Sequence, residues 1–406
     1  MNSQCKLDLI KENLAEIIGV KELDEKILEG KPFKVYWGTS PTGRPHIGYF
    51  IPLLKIAQLV KADCEVIILL ADLHAYLDAM KTSWELLDLR TQFYEELIKQ
   101  MLLRLDVDLS KVKFIRGSSY QLNKEYTIDM YKFMSKITVD TAQKGGAEVV
   151  KQSDNPVLSG LAYPILQVLD EVYLNCDAEL GGIDQRKIFM MSRDHIHKIG
   201  YKPVIHLMNQ MIPNITSKIS QTTEDSKQND NQQFIKSENM DKYIEQITKL
   251  KTKKLTWDNF VKISGNIASE LADKNNKNIS LQKMSSSETN SKIDLIEEPK
   301  SIKKKISSSF AEPKNISNTL FIFLKYVIFP INKLKNIEKF VVIRDEKFGG
   351  SIEFATLIEM EDKYKEDILT PQDLKKGISD WLINFLEPVR NYFESDVMKE
   401  LIKNAY

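Results

Sequence analysis

Apolar positions recur with different periods along the chain, and each change of period marks a new part. Lys34 to Trp37 reads as a short strand, and Gly38 to Gly43 as the turn that follows. From Ile47 to Val60 the apolar residues take helical spacing. Cys64 to Leu70 (CEVIILL) is an unbroken apolar run, partly β-branched, which suits a strand covered on both faces of a parallel sheet. Trp84 to Leu105 returns to helical spacing over the length of one long helix, and Val112 to Arg116 (VKFIR) is a further strand candidate. Strands alternating with helices predict βαβ units and an α/β sheet of the nucleotide-binding kind.

The rhythm fails after Thr216. Residues 217–282 are rich in Lys, Asn, Gln, Asp and Ser and hold no strand-like apolar run. One reading is a solvated, disordered loop. The other is a loop with two short helices. Tyr243, Ile244, Ile247 and Leu250 share one helical face, as do Trp257, Phe260, Val261, Ile263, Ile267 and Leu271. From about Glu297 the pattern describes a separate helical unit, with Asn318 to Pro330 and Ile378 to Leu386 as its strongest helices. Phe340 to Arg344 and Ile352 to Thr356 fit a small hairpin around Lys347 to Gly350 (KFGG).

Lys plus Arg and Asp plus Glu each number 57 among 406 residues, so the net charge is zero. That excludes a chain that coats nucleic acid unselectively and leaves room for a selective binder with a local basic face. Cys5, Cys64 and Cys176 are too scattered for a disulfide framework, which points to a reducing compartment. Met1 to Glu12 lacks the apolar stretch of a signal peptide. The longest apolar run, Thr319 to Ile331, is broken by Lys325 and too short to span a bilayer. The expectation is a soluble intracellular protein of two or three domains.

Two segments carry candidate chemistry. Pro41 to Tyr49 (PTGRPHIGY) joins a predicted strand to a predicted helix. Gly43 and Gly48 let the backbone close on a ligand, the helix start offers unpaired N–H groups, and His46 adds a donor for phosphate or ribose. By itself the segment reads equally well as a Pro/Gly turn with a histidine at a helix cap. Lys283 to Ser287 (KMSSS) sets one ammonium and three hydroxyls in a polar stretch, fit to follow a polyphosphate as its charge moves. Alone, it is an ordinary Ser-rich loop. His195 and His197 form a pair with no further ligand nearby in sequence, the mark of a solvated helix face rather than a zinc site. His206 reads as structural.

Together and in this order, the two segments resemble the HIGH and KMSKS signatures of class I aminoacyl-tRNA synthetases. His46 to Tyr49 departs from HIGH only at its last residue. Ser286 stands where the second lysine of KMSKS often does, which leaves Lys283 as that loop's only ammonium. Six more segments narrow the resemblance to the tyrosyl-tRNA synthetase family of eukaryotic and archaeal type. They are Tyr36 to Thr39 (YWGT), Ala71 to Leu77 (ADLHAYL), Gly145 to Lys151 (GGAEVVK), Tyr163 to Glu171 (YPILQVLDE), Gly181 to Lys187 (GGIDQRK) and His206 to Asn209 (HLMN).

The resemblance implies a Rossmann-like class I catalytic domain of residues 1–216 with 283–296, an insert of 217–282, and a mostly helical anticodon-binding domain of 297–406. It implies Tyr36 and Asp170 at a substrate phenol, and Tyr163, Gln167 and Gln185 at its α-amino end. His46, Lys283, Ser285 and Ser286 would be catalytic. Gly38, Thr39, Gly43, His46, Gly48, Gly182, Asp184, Lys283 and Met284 would bind ATP. Phe348, within Arg344 to Gly350 (RDEKFGG), would stack on an anticodon base, and Asp373, within Thr370 to Leu374 (TPQDL), would bind its edge. Without the resemblance, Phe348 plugs a hairpin and Asp373 caps a helix.

The implied partners are L-tyrosine, ATP with Mg²⁺, tRNA(Tyr) and a second copy in a homodimer. No protein-held metal and no membrane is implied, and the implied place is the cytoplasm. Two alternatives stay open. Tryptophanyl-tRNA synthetases share the fold and both signatures, but Asp170 and Tyr36 speak against them. A non-catalytic tRNA-binding pseudoenzyme is the other, against which His46, Asp184, Gln185 and Lys283 speak.

Overall fold

The computed structural model describes residues 1–150, 157–213 and 292–406. Lys151, the segment 217–282 with its two candidate helices, and Lys283 to Ser287 lie outside the described residues. Six strands form one sheet: β1 (Leu14–Ile18), β2 (Lys34–Thr39), β3 (Glu65–Leu70), β4 (Val112–Arg116), β5 (Ala178–Gly182) and β6 (Ile205–Asn209). Their order is β1-β6-β5-β2-β3-β4. Neighbours run parallel except β1, which lies antiparallel to β6.

All three predicted strands are present. β2 continues through Gly38 and Thr39, which the sequence pattern assigns to the turn, because they pair with Leu69 and Leu70 of β3. β1 escapes the pattern: each of its five residues is half-buried, so it shows neither alternation nor an apolar run.

Among the described residues ten helices accompany the sheet: α1 (Ser3–Lys11), α2 (Val20–Leu28), α3 (Phe50–Lys61), α4 (Asp72–Leu77), α5 (Leu87–Arg104), α6 (Ser118–Gln121), α7 (Lys124–Met134), α8 (Val139–Gly146), α9 (Ser159–Tyr173) and α10 (Arg186–His195). α3 and α5 match the predicted helices, each entered through a short 3₁₀ turn. The chain lays β2, β3 and β4 outward in one direction, then returns to place β5 and β6 on the other side of β2. In open α/β sheets a ligand crevice opens at the carboxyl ends of the strands where the order reverses. Here that point lies between β2 and β5.

The later part of the chain holds α11 (Pro299–Ser307), α12 (Thr319–Phe323), a π-helical turn (Leu324–Ile328), α13 (Phe329–Leu334), the hairpin β7 (Phe340–Val342) and β8 (Ile352–Phe354), α14 (Leu357–Lys365), α15 (Pro371–Phe393) and α16 (Asp396–Ala405). The predicted hairpin forms, antiparallel. Ile378 to Leu386 proves to be the middle of the much longer α15. One buried apolar cluster runs from Leu7 through β2, β3 and α3 to Phe393, so these helices share a core with the sheet. α5 packs on α15 and α16, and Arg104 Nε donates to the Phe385 carbonyl at 2.9 Å. Among the described residues no helix is long and apolar enough to cross a membrane.

Candidate active site

A cavity of about 460 Å³ opens at the carboxyl ends of β2 and β5. Its wall takes Tyr36, Gly38 and Thr39 from β2, and His46 and Gly48 from the turn that follows. α9 supplies Tyr163, Gln167 and Asp170. β5 and the turn after it supply Gly182, Asp184 and Gln185. Gly43 is not part of the wall. Its neighbours Thr42 and Arg44 are, while the Gly43 carbonyl turns to α5 and accepts from the Tyr94 hydroxyl.

The turn between β2 and α3 is pinned one carbonyl at a time. Thr82 Oγ1 donates to the Pro41 carbonyl at 2.7 Å, and Arg90 Nη1 to that of Thr42 at 3.0 Å. Tyr94 serves Gly43 and also accepts from Thr42 N at 3.3 Å. Lys292 Nζ reaches the Arg44 carbonyl at 3.4 Å, and Leu295 N that of Pro45 at 3.1 Å. Such a backbone is fixed before any ligand arrives. His46 caps the 3₁₀ turn that leads into α3, with Nδ1 accepting from Gly48 N at 3.1 Å. A neutral ring so held carries its proton on Nε2. Gly48 is needed there, since a Cβ would stand 2.7 Å from the His46 ring.

On the other side of the cavity, Asp170 is fully buried and ringed by donors. Tyr120 and Tyr126 hydroxyls donate to Oδ1 at 2.8 and 2.9 Å, and Gln121 Nε2 bonds both oxygens at 2.8 and 3.1 Å. Burial raises its pKa to about 7, and those three donors hold it from rising further. The His74 ring stands edge-on to Tyr163, with Nε2 at 3.8 Å from Asp170 Oδ2. Burial lowers its pKa to about 4, so it is neutral at neutral pH. Tyr36 is also buried, and its hydroxyl lies 3.5 Å from the Gln167 carbonyl. Burial and the carboxyls of Glu179 and Asp170 push its pKa far up, which keeps it a donor.

Sequence reasoning missed the supporting residues. Tyr120, Gln121 and Tyr126 belong to no motif, and their signal is positional: α6 follows directly on the carboxyl end of a parallel strand, and α7 follows α6. Thr82, Arg90, Tyr94 and Lys292 carry no signal at all. His206 is structural as expected, stacked on Phe189 at 4.5 Å with Nε2 at 3.0 Å from Glu171 Oε1. His195 pairs with Lys198 Nζ at 2.7 Å, and His197 is exposed.

The remaining two candidates lie on the later helices. Phe348 does not plug the hairpin. It is 64% exposed on the loop between β7 and β8, whose Gly349 and Gly350 take φ of +89° and +73°. Asp373 does cap α15, with Oδ2 accepting from Thr370 N at 3.1 Å and Thr370 Oγ1 at 2.8 Å, and with Arg344 Nη1 at 3.5 Å.

The family model described as tRNA synthetases class I (W and Y) matches residues 28–267 and 278–387. A tyrosine–tRNA ligase, cytoplasmic, of Xenopus tropicalis is 41% identical over all of this chain and 64% of its own length. The chain thus spans less than two thirds of that relative. A tyrosine–tRNA ligase, cytoplasmic, of Saccharomyces cerevisiae is 39% identical over 96% of this chain and 84% of its own length. Among solved structures, a tyrosyl-tRNA synthetase of Archaeoglobus fulgidus complexed with L-tyrosine superposes with a TM-score of 0.73 at 27% identity, covering 96% of this chain and 99% of that one.

Proposed function

This chain belongs to the class I tRNA synthetases of the tryptophan and tyrosine family, and on that premise we propose that it activates L-tyrosine with ATP and then loads tRNA(Tyr). The observation that carries the reading is the meeting of the pinned turn of His46 with the polar face of α9 in one cavity. Asp170 accepts from the substrate phenol and Tyr36 donates to it. Phenylalanine offers Asp170 no donor and Tyr36 no acceptor, so both bonds to the ligand are lost. Tyr163, Gln167 and Gln185 hold the α-amino end. Gly38, Thr39, Gly48 and Gly182 let the backbone approach ATP, Asp184 takes the ribose, and the His46 Nε2 proton serves the phosphates; Gly43, outside the wall, holds the turn in place through its bond to Tyr94.

The reaction needs no nucleophile from the protein. A carboxylate oxygen of tyrosine attacks the α-phosphorus, the bond to the bridging oxygen of the β-phosphate breaks, and pyrophosphate leaves. Catalysis is then positioning and charge stabilisation. Lys283, with Met284, Ser285 and Ser286, supplies the cation for the leaving phosphates. Mg²⁺ enters with ATP, held by phosphates and water. In the second step a hydroxyl at the 3′ end of tRNA(Tyr) attacks the tyrosyl carbonyl, the bond to the phosphate oxygen breaks, and AMP leaves.

The division into a catalytic domain (1–216 with 283–296), an insert (217–282) and an anticodon domain (297–406) goes with this reading. Phe348, exposed on its loop, suits stacking on a splayed base. A second copy is the proposed partner of the surface at α7, where Ile128, Tyr131 and Met134, three residues apart, are exposed. Sedimentation at equilibrium tests that dimer. The relatives' cytoplasmic names support a cytoplasmic role.

The test is ATP–pyrophosphate exchange with each amino acid in turn, with Asp170→Ala beside the unaltered chain. Exchange with tyrosine alone, lost in the variant, is the expected result. Exchange with tryptophan would move the reading to the sister activity. Tight tRNA binding without any exchange would make the chain an RNA-binding pseudoenzyme.

A further inference from the structure

Beside Gln167 lies a polar cluster that the reaction as described leaves unused, reaching the cavity wall at Glu179. Glu179, on β5, and Glu171, on α9, are each 1% exposed, and His206, on β6, is fully buried. We infer that Glu179 is a positioning residue for the reaction proposed above: as a neutral acid it donates to Glu171 and accepts from Gln167, and so turns the carboxamide oxygen of Gln167 toward the substrate's ammonium group.

The argument begins at Gln167. Its Nε2 donates to Glu179 Oε1 at 2.8 Å and to Gln185 Oε1 at 3.1 Å. A carboxamide nitrogen has two hydrogens, and both are taken. The atom left for the cavity is the Gln167 oxygen, an acceptor. Gln185 accepts through its own oxygen and so keeps its N–H groups for the cavity. An acceptor beside a donor matches an ammonium beside a carboxylate, the α-end of an amino acid. With Gln167 reversed, N–H would face the ammonium and oxygen would face oxygen. The acceptor on Glu179 forbids that flip.

The second half of the argument is the other oxygen of Glu179. Oε2 is buried and meets no donor. Glu171 has two: Ser192 Oγ donates to Oε2 at 2.6 Å, and His206 Nε2 lies 3.0 Å from Oε1. One potential ligand atom from each of Glu171, Glu179 and His206 falls within 4.8 Å of the others. Two ionised carboxylates that close in a dry interior cannot both persist. One shared proton removes the repulsion, and Glu179 Oε2 is the atom that lacks any other partner. Burial drives both carboxyls upward, that of Glu179 with the Glu171 charge added.

Calorimetry on the full chain tests this with tyrosine, tyramine, which lacks the carboxylate, and 3-(4-hydroxyphenyl)propionate, which lacks the ammonium. Glu179→Gln keeps an acceptor and supplies an N–H where the proton sat, so its tyrosine affinity should stay within about twofold of the unaltered chain. Glu179→Leu removes the acceptor and should weaken tyrosine and tyramine about tenfold, leave the propionate unchanged, and leave the KM for ATP unchanged. A tenfold loss in Glu179→Gln overturns the neutral acid, even if the leucine variant does not fold. Equal loss of all three ligands in Glu179→Leu overturns the positioning role. So does unchanged tyrosine binding in that variant. A stoichiometric metal in the purified chain that disappears with His206→Ala overturns the shared proton. Absence of tyrosine binding in the unaltered chain overturns the function reading itself, and this inference with it.

Discussion

The cavity under α9 and the loop between β7 and β8 are both assigned a substrate, yet they are built by opposite rules. In the cavity, polar groups are buried and held by other protein groups. Asp170 has three donors, and five successive carbonyls of the turn from Pro41 to Pro45 each have one. On the loop, Phe348 is exposed, with the Lys347 ammonium 5.0 Å over its ring. The first is preorganised for a small molecule, where a displaced donor costs rate. The second is half of an interface, completed when a base stacks on it. Changes in the cavity should therefore abolish activation, and changes on the loop should spare it.

The largest effect should come from Asp170. Asp170→Ala removes the phenol's acceptor and leaves Tyr120 and Gln121 without an acceptor, each worth ~1–3 kcal/mol, while Tyr126 keeps the Leu166 carbonyl at 2.9 Å. A loss of about 10³-fold in kcat/KM for tyrosine is expected in pyrophosphate exchange. His46→Ala comes next, at about 10²-fold in kcat, the usual effect of removing one donor to developing charge. Tyrosine binding measured by calorimetry should be unchanged in it. If His46→Ala weakened tyrosine as Asp170→Ala does, the two sides of the cavity would not be separate.

The cavity's burial also has a pH signature that the loop lacks. His74 is buried, with its pKa lowered to about 4 from an ordinary 6.5. Below the ordinary value the unfolded chain binds a proton that the folded chain refuses, so stability falls as pH drops from 6.5 toward 4. That amounts to about 2 kcal/mol by pH 5. Asp170, raised to about 7, acts with the opposite sign, since the fold then binds the proton that the unfolded chain releases above pH 4. His74→Phe removes the first and keeps the second. Its unfolding free energy relative to the unaltered chain should improve by about 2 kcal/mol between pH 7 and pH 5, read from urea titrations. No such drift would mean that water reaches the ring.

The two regions also differ in how much of each can be read from the chain. β3 and α5 were legible because a continuous apolar run and a helical period are local signals. β1 was not, because an edge strand half-buried throughout has no period to show. The turn of His46 and the polar residues of α9 were legible as motifs. Their supports were not: Lys292 reaches the Arg44 carbonyl across 248 residues, and only tertiary packing joins them. Glu179 reads as one more polar residue in a short strand until Gln167 and Glu171 are set around it. On the loop, Phe348 was found as a motif residue, and its exposure is what the structure adds.

Phe348→Ala sharpens the contrast at the next level. Loss of one stacked base is worth ~1–3 kcal/mol, so the KM for tRNA should rise about tenfold while pyrophosphate exchange stays unchanged. A fall in exchange would mean that the loop acts on the cavity through the shared core.

The smallest effect separates two roles of one side chain. Asp373 caps α15 together with Thr370, each accepting from the other's backbone N–H, while Arg344 lies 3.5 Å from Asp373 Oδ2. Losing either member of the cap costs about 1 kcal/mol of stability. Thr370→Ala removes only the hydroxyl, so it should lower stability without changing which tRNA is charged. Asp373→Ala should lower stability by a similar amount, and in addition it removes the one carboxylate assigned to the edge of an anticodon base. Charging of tRNA(Tyr) transcripts with each base at the first anticodon position distinguishes the two. If Asp373 reads the base, only its variant loses the difference among transcripts. If both variants keep that difference, Asp373 is a helix cap alone, and recognition on this side of the molecule rests on Phe348.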